Sequence, residues 1–159
     1  MTDSGSDLPV IQARALIVMR IGVDAILTPG GTPGAVRRIG TISGGTIEGE
    51  RLGGTILPGG SDWQIERGDG AILLDARFVV RTHDGALLAI TYTGIRHGPP
   101  DVMARLGRGE AVDPADYYFR IVPSFMTSDP RYGWLNRIVA IGAGQRAPEG
   151  PIYQVHEIV

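Results

Sequence analysis

At 159 residues the chain has the length of one domain, and its 43% hydrophobic content is enough to bury a core. A net charge of −2 offers no basic field for a nucleic-acid backbone, so no nucleic-acid partner is expected. There is no cysteine, and all 15 basic residues are arginine, which excludes disulfides, thiolate nucleophiles, lysine Schiff bases and a Walker-type phosphate loop.

Residues 1–7 are polar and acidic and read as a disordered tail ahead of one β-barrel domain over 8–159. They lack the positive and apolar stretches of a secretory signal, and no apolar run reaches the length of a membrane span. A cytoplasmic protein without a membrane partner is therefore expected. Residues 10–21 are rich in branched apolar side chains and predict a long first strand. Residues 22–36 contain Pro29-Gly30-Gly31-Thr32-Pro33-Gly34 and predict a loop. Short strands follow around 38–43, 46–48 and 52–57, the last ended by Pro58-Gly59-Gly60.

Two hairpins come next. Residues 62–66 and 71–82 are joined through Arg67-Gly68-Asp69-Gly70, and 71–82 and 86–95 meet around His83-Asp84-Gly85. Asp-Gly between β-rich runs marks a hairpin, because glycine supplies the positive φ that the turn needs. Pro99-Pro100-Asp101 opens a short helix to about residue 107, and Asp113 is placed to cap one more turn. Strands at 117–126, 133–142 and 151–158 complete the chain. Such spacing predicts an all-β fold, an antiparallel barrel of about nine to ten strands with one or two short helices.

Alternation assigns faces within these strands. Tyr118, Arg120 and Val122 share one face of their strand, and Tyr117, Phe119 and Ile121 share the other. Trp134, Asn136 and Ile138 share a face in the same way. Apolar groups on both faces together with an Arg or Asn suggest a partly polar lumen, which is a small-molecule site.

A set of short motifs runs in order along the chain: Gly44-Gly45-Thr46-Ile47-Glu48-Gly49, Leu57-Pro58-Gly59-Gly60-Ser61-Asp62-Trp63, Leu74-Asp75-Ala76-Arg77, Asp84-Gly85-Ala86, Arg96-His97-Gly98-Pro99-Pro100, Tyr118-Phe119-Arg120 and Trp134-Leu135-Asn136. In this order they resemble a bacterial and fungal family known only as domain of unknown function 3237, from about residue 10 to the end. The resemblance implies an antiparallel β-barrel of lipocalin-like shape. It implies no agreed activity and carries over no catalytic residue.

The residues themselves nominate a site. Asp62 follows the rigid Pro58-Gly59-Gly60 turn. It is either a general acid or base at the barrel mouth, with a pKa raised by apolar walls, or a turn aspartate bonding its own backbone. Arg120 needs a partner if buried, and Glu48, Asp62 and Asp75 are the available carboxylates. It either meets a ligand or pins strands together. Arg77 and Asp75 face either the lumen, where the guanidinium would bind an oxygen, or solvent. Tyr118, Tyr92, Trp134 and Asn136 suit an aromatic ligand as a set, although singly each reads as ordinary packing. His97 lies in a Gly-Pro loop that would cover a barrel end. No metal-ligand spacing is present among the three histidines.

Three functions compete. The first is a cofactor-independent lyase or isomerase acting on a small aromatic or carbonyl compound. In it Arg120 and Arg77 polarise an oxygen, and Asp62 or Tyr118 moves a proton. The second is a carrier of a hydrophobic metabolite. The third is a structural barrel filled by its own side chains. A homodimer is expected in each case.

Overall fold

The computed structural model describes Gly5 and residues 7–159. Residues 1–4 and 6, most of the expected tail, lie outside the described residues. The chain forms strands β1 (Ala13–Val23), β2 (Leu27–Thr32), β3 (Ala35–Glu48), β4 (Gly53–Ile56), β5 (Ser61–Arg67), β6 (Ile72–Thr82) and β7 (Leu87–His97). Helix α1 (Pro100–Gly107) follows, then β8 (Tyr118–Met126), β9 (Val139–Ala147) and β10 (Gly150–Ile158). Among the described residues no helix is long and apolar enough to cross a membrane.

All strand pairings are antiparallel, and the sheet closes on itself. Around the ring run β1, β10, β9, β8, β7 and β6, then one lane shared by β4 and β5, then β3, which returns to β1: eight lanes in all. β4 and β5 each pair with both β3 and β6, at opposite ends of those long strands. Closure removes the unpaired edges that an open sheet would expose. β2 lies outside the ring, paired to the first half of β3.

Alternating sequence drives this closure. β6 buries Ile72, Leu74, Ala76, Phe78, Val80 and Thr82, and turns Asp75, Arg77, Val79 and Arg81 outward. β7 continues the inner face with Leu88, Ile90, Tyr92 and Arg96, and β8 does so with Phe119, Ile121 and Phe125. β9 contributes the small residues Ala140, Gly142 and Gly144. A Cβ on Gly144 would sit 2.8 Å from Phe119 Cγ and 2.8 Å from Tyr153 Cε1, so the bare backbone there is what admits both rings. The centre is consequently packed, with Ile17, Met19, Ile47, Ile90 and Tyr153 all essentially inaccessible, rather than hollow.

Three local expectations change. The loop expected over 22–36 contains β2, which forms a hairpin with β3 through Pro33-Gly34. The backbone ladder needs no apolar side chain, and β2 is mostly exposed, so hydrophobic patterning gave no signal. The strands expected at 38–43 and 46–48 are one strand, β3, bent at Gly44 and Gly45, where φ is +153° and +134°. The strand expected at 133–142 begins only at Val139, because Pro130–Arg137 is a 3-10 helix. Asp129 Oδ1 accepts from Arg131 N–H at 2.9 Å and Pro130 occupies the first turn, a start signal for a helix. Trp134, Asn136 and Ile138 therefore share no strand face. The shorter turn behaves as expected, with Asp113 accepting from Ala115 N–H at 2.9 Å.

Candidate functional site: a polar cleft at one end of the barrel

At the end of the barrel where β7 finishes and β8 begins, the apolar packing gives way to polar side chains. Asp62 and Gln64 alternate inward from β5, Arg96 ends the inner face of β7, and Tyr153 enters from β10. With Leu74, Phe119, Pro151 and Arg146 they line a cleft roofed by Val23, the last residue of β1, and Ile26, in the connection to β2. A Cβ on Gly40 would meet Val23 Cγ1 at 2.7 Å, so that glycine lets the roof lie down. The enclosed volume is about 20 Å³, room for one water.

Asp62 is 5% exposed. Its Oδ2 accepts from Gln64 Nε2 at 2.9 Å and its Oδ1 from the Asp75 backbone N–H at 3.0 Å. Burial raises its pKa above the ordinary carboxylate value, against the opposing pull of those hydrogen bonds and of the Arg96 charge. The carboxyl can therefore hold a proton at a pH where an exposed aspartate has lost it.

Arg96 is 6% exposed. Its guanidinium lies over the Phe119 ring at 5.2 Å. Among the described residues its Nε has no hydrogen-bond partner, and the side chain joins no ion pair. Burial, followed by the like charges of Arg146 and Arg38, lowers its pKa to about 10. Gln64 Oε1 is a second buried atom without a partner. Below these groups Tyr153 OH donates to Tyr92 OH at 3.2 Å, and burial pushes both phenols well up. Both stay protonated and act as fixed dipoles.

Of the residues nominated from sequence, Asp62 and Tyr92 lie in or directly under this cleft. The others lie elsewhere. Arg120 is on the outer face of β8, stacked on Tyr118 at 4.8 Å and donating to the Phe119 carbonyl, so the expectation that it faces the lumen is corrected. The strand looked apolar on both faces because its outer face carries Tyr118, Val122 and Met126 in contact with solvent. Tyr118 is 46% exposed and stacks on exposed His97. Arg77 and Asp75 also face outward, beside Arg37, Ser61 and Trp63 in a surface pocket of about 300 Å³. Glu48 is exposed at the far end of β3. Trp134 lies at that far end under Arg51, at 4.2 Å, and Asn136 clasps the backbone of Thr127.

Sequence reading missed Arg96, Gln64, Tyr153 and Arg146. A signal existed for Arg96. Leu88, Ile90 and Tyr92 are apolar or aromatic at alternate positions, and the same parity continues to residue 96. Among the described residues no three His, Asp or Glu side chains converge as a metal site would require.

A family model described as a protein of unknown function, DUF3237, matches residues 12–158. A UPF0311 protein of Rhodopseudomonas palustris is 34% identical over 151 residues, 95% of this chain and 99% of its own. The crystal structure of a conserved protein of unknown function from R. palustris superposes with a TM-score of 0.92 at 34% identity, covering 96% of this chain and 100% of that one. A hydroalkoxylation enzyme of Penicillium herquei is 28% identical over 107 residues, 67% of this chain and 56% of its own length.

Proposed function

The chain belongs to the DUF3237 family, and from that premise we propose that it is a cofactor-independent acid–base enzyme acting on a small aromatic or carbonyl compound at the Asp62 cleft. The observation that carries this reading is a buried carboxyl of raised pKa beside a buried arginine whose Nε has no partner among the described residues. The distant relationship to a hydroalkoxylation enzyme supports addition of an O–H across a C=C bond as the reaction class, and ring closure is the intramolecular form of that addition.

Such an addition needs a proton placed on one carbon, an oxygen closing on the other, and the oxygen's own proton returned to the acid. Asp62 is the donor. The π electrons of the double bond take the Asp62 proton to form the new C–H bond. The oxygen forms the C–O bond, and the proton it loses restores Asp62, directly or through solvent. Gln64 follows the proton. While Asp62 is ionised, Gln64 Nε2 donates to it. When Asp62 is protonated, a flip of the amide brings the free Oε1 round to accept from the carboxyl.

At about 20 Å³ the cleft is too small for a ring, so the Val23–Ile26 roof must lift to admit substrate. The packed centre disfavours a carrier, which needs a volume matching its cargo.

Incubation with an ortho-alkenyl phenol in deuterated buffer tests the reading. Cyclised product carrying one new C–D bond, lost in Asp62→Asn, is the expected result. Equal rates in the two proteins, or no product above the uncatalysed background, would remove Asp62 from the chemistry.

A further inference from the structure

Resting on that acid–base reading, we propose that the cleft takes its substrate as an oxyanion, a hydroxyaromatic compound bound as its phenolate with the oxygen on Arg96. Arg96 and Arg146 line the cleft, and the charges of Arg146 and Arg38 depress the ionisation of Arg96. Arg38 reaches its own carboxylate, Glu66, only at 3.8 Å. Arg146 is half-buried, and its Nη1 has only the neighbouring Ala147 carbonyl, at 3.3 Å. One carboxyl, Asp62, lines the cleft, and both of its oxygens are already engaged by Gln64 and the Asp75 amide. Two arginines against one carboxyl leave the cleft lining with an excess of positive charge.

A buried guanidinium without a partner is costly, and an anionic acceptor relieves that cost. Arg96 Nε is a donor without an acceptor, inside a wall made of Phe119, Leu74, Val23 and Ile26. That pairing of one charged donor with an apolar wall suits a ring bearing one charged oxygen. A phenol is also the anion whose ionisation such a site can change. A carboxylic acid is already ionised in neutral water and gains no reactivity here, whereas a phenol surrounded by cations loses its proton and becomes the better nucleophile.

The step balances. The phenol releases its proton to solvent on binding. Asp62 then gives its proton to the alkene carbon, the phenolate oxygen forms the C–O bond, and the Asp62 carboxylate takes a proton back from solvent.

Para-nitrophenol is the probe, because its phenolate absorbs visibly and its phenol does not. In the presence of saturating protein its apparent pKa should fall by about one unit, a tenfold gain in phenolate at fixed pH. Arg96→Met should abolish the fall, with far-UV circular dichroism and thermal melting confirming the fold. Should that variant fail to fold, Arg146→Gln, altered at the rim, should halve the shift. Asp62→Asn removes the carboxyl that lines the cleft, so it should enlarge the shift while abolishing turnover, and a failure of proton transfer and a failure of oxyanion binding read out separately. An unchanged probe pKa in the wild type would overturn the proposal, as would an undiminished shift in Arg96→Met. Displacement of the probe by benzoate more than tenfold better than by phenol would overturn the phenolate assignment in favour of a carboxylate ligand.

Discussion

The two ends of the barrel treat charge in opposite ways. At the end where β1 starts and β10 finishes, Glu157 is buried, yet Arg14 Nη2 reaches it at 2.7 Å and Arg51 Nη2 at 2.8 Å. Arg51 also lies over Trp134, and Tyr132 donates to Asp84 at 2.8 Å across the neighbouring turn. Charges that approach the core there have partners. At the cleft end Arg96 is just as buried, yet among the described residues its Nε has no hydrogen-bond partner and it joins no ion pair, and Gln64 keeps one atom unsatisfied. On the proposed function, that difference marks the end at which a ligand binds. Unsatisfied polarity is what a ligand is needed to complete.

The largest effect that would sharpen this contrast is on turnover. Asp62→Asn should lower kcat for ring closure by about 100-fold or more, the usual loss when a general acid is removed. Thermal melting of the same variant at neutral pH should show stability unchanged or raised. The flipped Gln64 amide can accept from the new Asn, and a charge that burial opposes is gone. A large loss of stability would instead make Asp62 a structural residue like Glu157.

Glu157→Gln should do the reverse. Turnover should be unaffected, and stability at neutral pH should fall by about 1 kcal/mol, since both arginine partners are substantially exposed. Its hydrogen bond from Arg14 is the main reason its pKa lies below the ordinary value. Its contribution is therefore present above the unfolded pKa and lost as pH falls through the folded one. Denaturant titrations of wild type and variant should converge in acid.

Asp62 has the opposite sign. Its folded pKa is raised, so between the ordinary carboxylate value and the raised one the native state keeps a proton that the unfolded chain has lost. Stability falls as pH rises through that window, and this slope should be absent in Asp62→Asn. The same protonation predicts that kcat declines as pH climbs past the raised pKa, the limb that a pH–rate profile would locate. Smallest of all, Ile26→Ala thins the roof over the cleft and should change KM a few-fold with little change in kcat. An unaltered KM would mean that substrate enters by another route.

How far this was legible from sequence differs between the ends. Asp62 could be read because a Pro-Gly-Gly turn announces the strand that carries it. The all-β barrel could be read because β6 and β7 alternate so regularly around Asp84-Gly85. Arg96 carried one signal, the inward parity of Leu88, Ile90 and Tyr92, but the expected strand stops one residue short, at 95, where an arginine looks like a solvated end. Arg120 misled for the converse reason. Exposed Val122 and Met126 made its face resemble a core face, and only the closed ring decides which side of β8 is inside. The far end was misread where Pro130 turns an apparent strand into a 3-10 helix, which carries Trp134 and Asn136 away from the cleft. Which polar groups meet is a property of strand register across the sheet, and no single strand contains it.

The absent side chain at residue 144 then has a reach far beyond its own strand. It holds no charge and touches no substrate, yet it is the slot into which the Phe119 and Tyr153 rings are set. One of those rings is the floor under the Arg96 cation, and the other bonds its hydroxyl to Tyr92. Adding a single methyl group there would displace both rings at once. A residue that any chemical inventory would pass over is thus a tuning point, through which one carbon atom on β9 could retune affinity and proton transfer together.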